Sequence, residues 1–147
     1  MGVEDNKAVV RRWVDIGNAH DPAAFDEVFT HDTLDHVGGC SGVQWWQEVF
    51  GFHFATLPDW NWTLEDLVAE GDRVVARLTV RGTHLGSEIP FLTGIAPTGR
   101  RITWTHHHTF RLAHGKIAEH WANRDDLGFL RQVTQEQVSR DQQASPG

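Results

Sequence analysis

Hydrophobic residues follow a helical period in the first third of the chain. Between residues 3 and 19 they recur at near-helical spacing, which predicts an amphipathic helix. Asp21 followed by Pro22 is typical of a helix start, because proline fits the first helical position, and this predicts a second short helix. A capping-box pattern that begins at Ser41 predicts a third helix through Phe54.

From residue 60 onward the pattern changes from helical to alternating, as expected for strands with one buried face. The alternation predicts strands near residues 62–69, 73–84, 101–112 and 116–125. A short extended segment is predicted at residues 33–37, and a short helix is predicted to begin near Asp126. Helices that precede an antiparallel sheet predict an α+β fold.

The predicted strand at 101–112 combines apolar residues and histidines on its inward face. Alternation places six residues there: Ile102, Trp104, His106, His108, Phe110 and Leu112. If His114-Gly115 is a two-residue hairpin turn, Asp125 lies opposite Trp104 and close to His106. A three-residue loop or a bulge would reverse the parity of the last strand and bring Asp126 inward instead. Polar groups that converge on an aromatic surface predict a small-molecule site.

Composition supports one soluble globular domain with an aromatic interior. The chain has 147 residues, of which 39% are hydrophobic, and we expect a single domain over 1–135 followed by a polar, disordered tail at 136–147. Seven Trp, eight Phe and ten His, with no Tyr, suit an aromatic-lined cavity that contains proton-handling groups. The net charge of -7 argues against a nucleic-acid partner, because phosphates would be repelled.

Cysteine content and hydropathy predict the compartment. Cys40 is the single cysteine and cannot form an internal disulfide, which fits a reducing cytoplasm. The first residues are acidic and polar, and no run of 18 apolar residues occurs. We therefore expect a cytoplasmic protein without a signal peptide or membrane span.

Three segments carry a resemblance to a known family. RGTHLG at 81–86, GIAPTGRRITW at 94–104 and FRLAHGKIAEHWANRDDLG at 110–128 resemble the SnoaL-like polyketide cyclase family, a branch of the ketosteroid isomerase superfamily. The resemblance implies an α+β cone-shaped barrel of cystatin-like type. In it, about three N-terminal helices cover a curved antiparallel sheet and enclose a deep pocket. It also implies acid–base chemistry without a cofactor.

The resemblance also assigns roles to single positions. The founding cyclases close a ring by intramolecular aldol condensation with an aspartate as general acid/base, and that aspartate matches Asp125. In the isomerase branch the catalytic base matches His36, the oxyanion-stabilising acid matches His108, and a tyrosine donor matches Trp13. Because two carboxyl groups become histidines and the phenol is lost, steroid isomerase activity is not expected.

These arguments together predict the site. The expected catalytic residues are Asp125, His108, His106 and His36, and the expected substrate-binding residues are Trp13, Phe50, His53, His84, Trp104, Phe110, Trp121 and Asn123. Structural roles remain open for several of them, because Asp125 could cap the last helix and the buried histidines could be hydrogen-bonded core residues. His107, His114 and His120 are expected to face solvent.

The predicted function is acid/base catalysis, without a cofactor, on a hydrophobic polyketide-type or polycyclic carbonyl compound, with aldol-type cyclisation as the first choice. A hydroxylase, an ester or epoxide hydrolase and a non-catalytic binder of small molecules are the alternatives. A metal site is disfavoured because alternation separates His107 from its two neighbours and no HExxH motif or cysteine pair is present. We expect a homodimer that pairs through the outer face of the sheet.

Overall fold

The structure is a computed structural model that describes residues 2–135. The predicted polar tail at 136–147 lies outside the described residues. No helix within 2–135 is long and apolar enough to cross a membrane.

Three α-helices and six strands make up the described chain. The helices are α1 (Val3–Asn18), α2 (Val43–Thr56) and α3 (Asp126–Thr134), and the strands are β1 (Phe29–Asp35), β2 (Cys40–Ser41), β3 (Asn61–Glu70), β4 (Arg73–Thr83), β5 (Arg101–Ala113) and β6 (Lys116–Arg124). Short 3-10 helices cover Pro22–Glu27 and Pro90–Leu92. The α+β class predicted from the sequence is confirmed.

The six strands form one sheet in the order β2-β1-β6-β5-β4-β3. Strand β1 runs parallel to β6, whereas the other neighbouring strands pair antiparallel. The sheet is therefore mixed, whereas a purely antiparallel sheet was expected. The parallel pair follows from the connection: α2 and four further strands separate β1 from β6, and such long connections allow parallel neighbours.

The core lies between the concave sheet face and the helices. Trp13 of α1 is fully buried and its ring lies 4.2 Å from that of Trp62 on β3. Trp46 and Phe50 of α2 pack against Phe25 and close the other side. Burial of these large aromatic side chains is the main apolar stabilisation, because each removes about 150–250 Å² from water.

Some local predictions were wrong at the level of single elements. The second helix is a 3-10 helix, and the first strand begins at Phe29, four residues earlier than its pattern suggested. Ser41 does not cap α2, since Gly42 is the N-cap and no side-chain hydrogen bond caps the helix.

Candidate active site

A bulge in β6 decides which side chains reach the concave face. The hairpin begins with Ala113 opposite Lys116, as a two-residue turn requires, but Arg111 lies opposite Glu119. Ala118 is the extra residue, and beyond it the parity of β6 is reversed. His120 and Arg124 therefore point inward.

The concave face opens into a cavity of about 350 Å³. Its apolar wall includes Trp45, Trp46, Phe52, Phe91 and Trp104. Four polar side chains reach the same cavity, namely Asp35, His53, Arg124 and Asp126. An aromatic wall with a few convergent polar groups is typical of a small-molecule site.

Arg124 supplies a positive charge in this cavity. Its Nε has no hydrogen-bond partner among the described residues and is buried. Burial lowers the pKa of Arg124, while the negative charges of Asp35 and Asp126 oppose that effect. Because a guanidinium stays charged in proteins, Arg124 can donate to an oxygen that develops negative charge.

Asp126 lines the solvent-exposed edge of the cavity at the start of α3, where its carboxyl group is partly buried. Burial raises the pKa of its carboxyl group, and the nearby charge of Arg124 opposes the rise only in part. A carboxyl group with a raised pKa is better matched to proton transfer near neutral pH.

Asp35, at the end of β1, has the opposite character. It accepts hydrogen bonds from Trp45 Nε1 at 2.7 Å and from the Val37 amide at 3.1 Å, and its Oδ1 lies 3.0 Å from His120 Nδ1. Burial alone would raise the pKa of Asp35, but the contacts with His120 and Trp45 outweigh burial and lower it. The carboxylate is therefore ionised and held in one orientation.

Behind Asp35 lies a row of three buried histidines. His120 Nε2 is 2.7 Å from His108 Nδ1, and His108 Nε2 is 3.1 Å from His106 Nδ1. Burial lowers the pKa of all three rings, so they are neutral at pH 7. Among residues 2–135 no group of three or more potential ligands is arranged to hold a metal ion.

The structure places several predicted catalytic residues away from the cavity. Asp125 is exposed and caps α3, because its Oδ1 accepts from the Gly128 amide at 2.9 Å. His36 points to the outer face, where its Nε2 contacts Glu119 at 2.8 Å and its ring stacks on Trp121. The predicted cavity positions of Asp125 and His36 were therefore wrong. The residues that face the cavity are their neighbours, Asp126 and Asp35.

The bulge explains two further corrections. Trp121 and Asn123 were expected on the cavity wall, but they lie on the outer face, and Arg73 packs over the Trp121 ring at 4.9 Å. His120 was expected in solvent and is fully buried.

The other predicted residues divide between cavity, core and a separate site. His53 and Trp104 line the cavity. Five predicted residues are buried and do not line it: Trp13, Phe50, Phe110, His106 and His108. His84 is buried elsewhere and contacts Thr98 Oγ1 at 3.0 Å. The inward orientation of His106 and His108, with His107 on the opposite face, agrees with the alternation.

Two cavity residues, Arg124 and Asp35, were not predicted from the sequence. Asp35 could have been recognised from the sequence. It is next to His36, to which the resemblance assigned the role of base, and neighbouring residues of an extended segment face opposite sides. Arg124 could be recognised only by allowing for the bulge, which also favours Asp126 over Asp125.

Comparisons with known proteins agree with this architecture. Residues 7–133 match the sequence profile of the SnoaL-like polyketide cyclase family. The chain is 34% identical over 103 residues to nogalonic acid methyl ester cyclase from Streptomyces nogalater, covering 69% of this chain and 72% of that protein.

Two solved structures share the fold over nearly their whole length. TsrD from Streptomyces laurentii is 27% identical with a TM-score of 0.81, covering 91% of this chain and 98% of TsrD. IdmH from Streptomyces antibioticus is 29% identical with a TM-score of 0.75, covering 87% of this chain and 97% of IdmH. With its helix-covered curved sheet and the match over most of its length, the chain belongs to the SnoaL-like polyketide cyclase family.

Proposed function

We propose that this protein closes a ring in a hydrophobic polyketide-type carbonyl compound by an intramolecular aldol-type reaction without a cofactor. The observation that carries the proposal is a guanidinium, Arg124, that lines an aromatic cavity together with two carboxyl groups, those of Asp35 and Asp126. Its volume of about 350 Å³ is within the usual range for small-molecule sites. Flat conjugated rings would pack well against its tryptophan walls.

The reaction needs a proton acceptor, a partner for the enolate oxygen and a proton donor. Asp126 removes a proton from the carbon next to a carbonyl group, and its raised pKa favours that transfer. Arg124 donates a hydrogen bond to the enolate oxygen. The low dielectric of the cavity strengthens the attraction between the guanidinium charge and that oxygen. The enolate carbon then forms a bond to a second carbonyl carbon, and the resulting alkoxide takes up a proton.

The cavity wall has a further role, because the reaction is intramolecular. The aromatic side chains hold the substrate in a folded conformation that brings the two reacting carbons together.

The named activity of the Streptomyces nogalater relative suggests an aromatic polyketide ester as substrate class. Nogalonic acid methyl ester is therefore the first probe.

The test compares two adjacent aspartates. Asp126→Asn should lower the turnover of nogalonic acid methyl ester by about 100-fold or more, because it removes proton transfer. The matched variant Asp125→Asn should retain activity, since asparagine can still cap α3. Circular dichroism of both variants controls for folding. Equal turnover by Asp126→Asn and the unmodified protein would contradict the role of Asp126, whereas binding of the probe without turnover by the unmodified protein would favour a binding protein.

Arg124→Gln provides a second test of the same chemistry. Glutamine can donate a hydrogen bond but carries no charge, so we expect kcat to fall by about 10²–10³-fold, as for loss of an oxyanion donor. Binding of the probe, measured by quenching of tryptophan fluorescence, should change much less. Unchanged kcat would remove Arg124 from the mechanism.

A further inference from the structure

The row of buried histidines has no task in the reaction just described. His106, His108 and His120 are fully buried, and none of them lines the cavity. They nevertheless form one continuous row of contacts at 2.7–3.1 Å that ends on Asp35, a cavity residue. Aromatic rings enclose the row, with Trp13 at 5.0 Å from His108 and Trp46 at 4.6 Å from His120.

The hydrogen-bonding rules give this row a direction. An ionised carboxylate only accepts, so Asp35 requires a proton on His120 Nδ1. A neutral imidazole has one proton, so His120 Nε2 must accept from His108 Nδ1. The same argument puts the next proton on His106 Nδ1. His106 Nε2 is then an unprotonated acceptor, and this atom is buried without a partner among the described residues.

A second arrangement preserves every hydrogen bond of the row. If one proton is bound at His106 Nε2, its Nδ1 proton can pass to His108 Nε2, and the Nδ1 proton of His108 can pass to His120 Nε2. The Nδ1 proton of His120 then forms an O–H bond with Asp35 Oδ1. In this state all three rings are again neutral, and Asp35 is a neutral acid. The buried row can therefore carry a proton without keeping a charge on any ring.

We propose that His106, His108 and His120 form a proton relay that carries a proton between His106 Nε2 and Asp35, which acts as a second proton-transfer group in the cavity. Asp35 would pass this proton to the alkoxide formed in ring closure, which leaves each ring with its proton on Nε2. The resting arrangement returns when Asp35 takes up the proton that Asp126 removed from the substrate and the row releases one proton at His106 Nε2. The histidines act through Asp35 and are positioning residues. The role in ring closure rests on the proposed function, whereas the two proton arrangements do not.

The groups around the row favour neutral rings. Besides burial, the charge of Arg124 on β6 opposes protonation of all three rings. His53 on α2 opposes protonation of His106 and His108, and His36, which follows β1, opposes protonation of His120 from the outer face. Among residues 2–135, Asp35 is the one acidic group that favours protonation of the row, and it acts on His120. The row therefore has a negative end at Asp35 and an end at His106 that resists positive charge.

Nitrogen NMR of histidine-labelled protein tests the resting arrangement directly. At pH 7 the three rings should each show a protonated Nδ1 and an unprotonated Nε2. The ring nitrogen signals of each histidine are assigned by their disappearance from the spectrum of the variant that lacks it. The three variants are His106→Gln, His108→Phe and His120→Gln. An Nε2–H form or a doubly protonated ring at any of the three positions would overturn the relay.

Coupling along the row provides the stricter test. Asp35→Asn removes the charge that fixes the direction, so His106, three contacts away, should shift measurably toward its Nε2–H form. His108→Phe keeps a ring of similar size but interrupts the row, and in that background Asp35→Asn should leave the His106 signals unchanged. His84→Phe, at a buried histidine outside the row, is the matched control and should preserve the coupling. An equal response of His106 with and without His108 would refute the relay.

Turnover separates this proposal from the proposed function. With nogalonic acid methyl ester as probe, His108→Phe should lower kcat at least tenfold and leave KM within twofold, because the proton supply and not the cavity is altered. If the unmodified protein does not convert the probe, the proposed function fails for that compound, and the NMR experiments still decide the relay. Unchanged kcat in an active protein would remove the relay from catalysis.

Discussion

Two aspartates of the same cavity show how surroundings separate identical side chains. Asp35 accepts three hydrogen bonds and has a lowered pKa. Asp126 is held by fewer donors, and burial raises its pKa. Pairs of carboxyl groups with opposite shifts commonly divide acid and base roles. Here the environment matches Asp126 to proton abstraction and keeps Asp35 ionised in the resting state.

The contact of Trp45 with Asp35 depends on a glycine. A Cβ atom at Gly38 would overlap the Trp45 indole ring, whose Nε1 donates to Asp35 at 2.7 Å. Gly38→Ala should therefore displace the ring, raise the pKa of Asp35 and cost about 1–3 kcal/mol of stability, as overpacking does. Carbon NMR of the Asp35 carboxyl and urea unfolding measure the two effects.

Two variants control this prediction. Gly51→Ala lies in α2 in open space and should keep or slightly raise stability, because alanine favours helices. Trp45→Phe removes the donor but retains a ring, so it should raise the Asp35 pKa with a smaller loss of stability. If Gly38→Ala leaves the Asp35 pKa at its original value, the glycine does not position Trp45.

At the scale of elements, one extra residue in β6 determines the composition of the site. With Ala118 inserted, His120 and Arg124 face inward while Trp121 and Asn123 face outward. Uniform pairing would reverse all four. The bulge also lets Trp121 stack on His36 at 4.6 Å on the outer face.

Deletion of Ala118 should therefore prevent normal folding. Uniform pairing would expose the buried His120 and force Asn123 into the aromatic core, and an unpaired buried polar group alone costs about 1–3 kcal/mol. We expect loss of the cooperative urea transition and of the dispersed NMR spectrum. Ala118→Ser keeps the residue count and should fold with nearly unchanged stability. A deletion variant that folds with Arg124 still in the cavity would show that the bulge can move along β6.

The elements predicted correctly from the sequence were those in which hydrophobic residues recur at a regular spacing. The alternation in β5 correctly placed His106 and His108 inward, and the helical spacing before residue 19 identified α1. The sequence could not reveal the bulge, because Ala118 fits either face and no glycine marks the extra residue. The site was therefore predicted on the correct strands but one residue out of register beyond the bulge.

At the scale of the whole molecule, the outer sheet face is the surface through which we expect two copies to pair. Along β5 it presents Thr103, Thr105, His107 and Thr109, small or polar groups that can form hydrogen bonds between subunits. Light scattering at micromolar concentration should give twice the mass of one 16.6 kDa chain. Thr105→Arg, which places a bulky charge on this face, should shift the mass toward one chain without unfolding it. A single-chain mass for the unmodified protein would contradict the dimer.

The buried histidines make the stability of the whole molecule depend on pH. Burial lowers the pKa of His53, His106 and His108 well below the ordinary value of 6.5, whereas in the unfolded chain they bind protons near that value. Below pH 6.5 the unfolded state therefore binds more protons, and the free energy of unfolding falls by about 1.4 kcal/mol per pH unit for each such histidine. Their contribution is complete above pH 6.5. The lowered pKa of Asp35 has its effect mainly below its ordinary value of 3.8, but the raised pKa of Asp126 acts above that value and with the opposite sign. Urea unfolding is therefore measured in an Asp126→Asn background between pH 6.5 and about 5.5, where the histidines dominate. His108→Phe should reduce the dependence of the free energy of unfolding on pH in this interval by up to about 1.4 kcal/mol per pH unit, the contribution of one histidine. A free energy of unfolding that is constant or rises on acidification would show that these rings are already protonated in the folded protein.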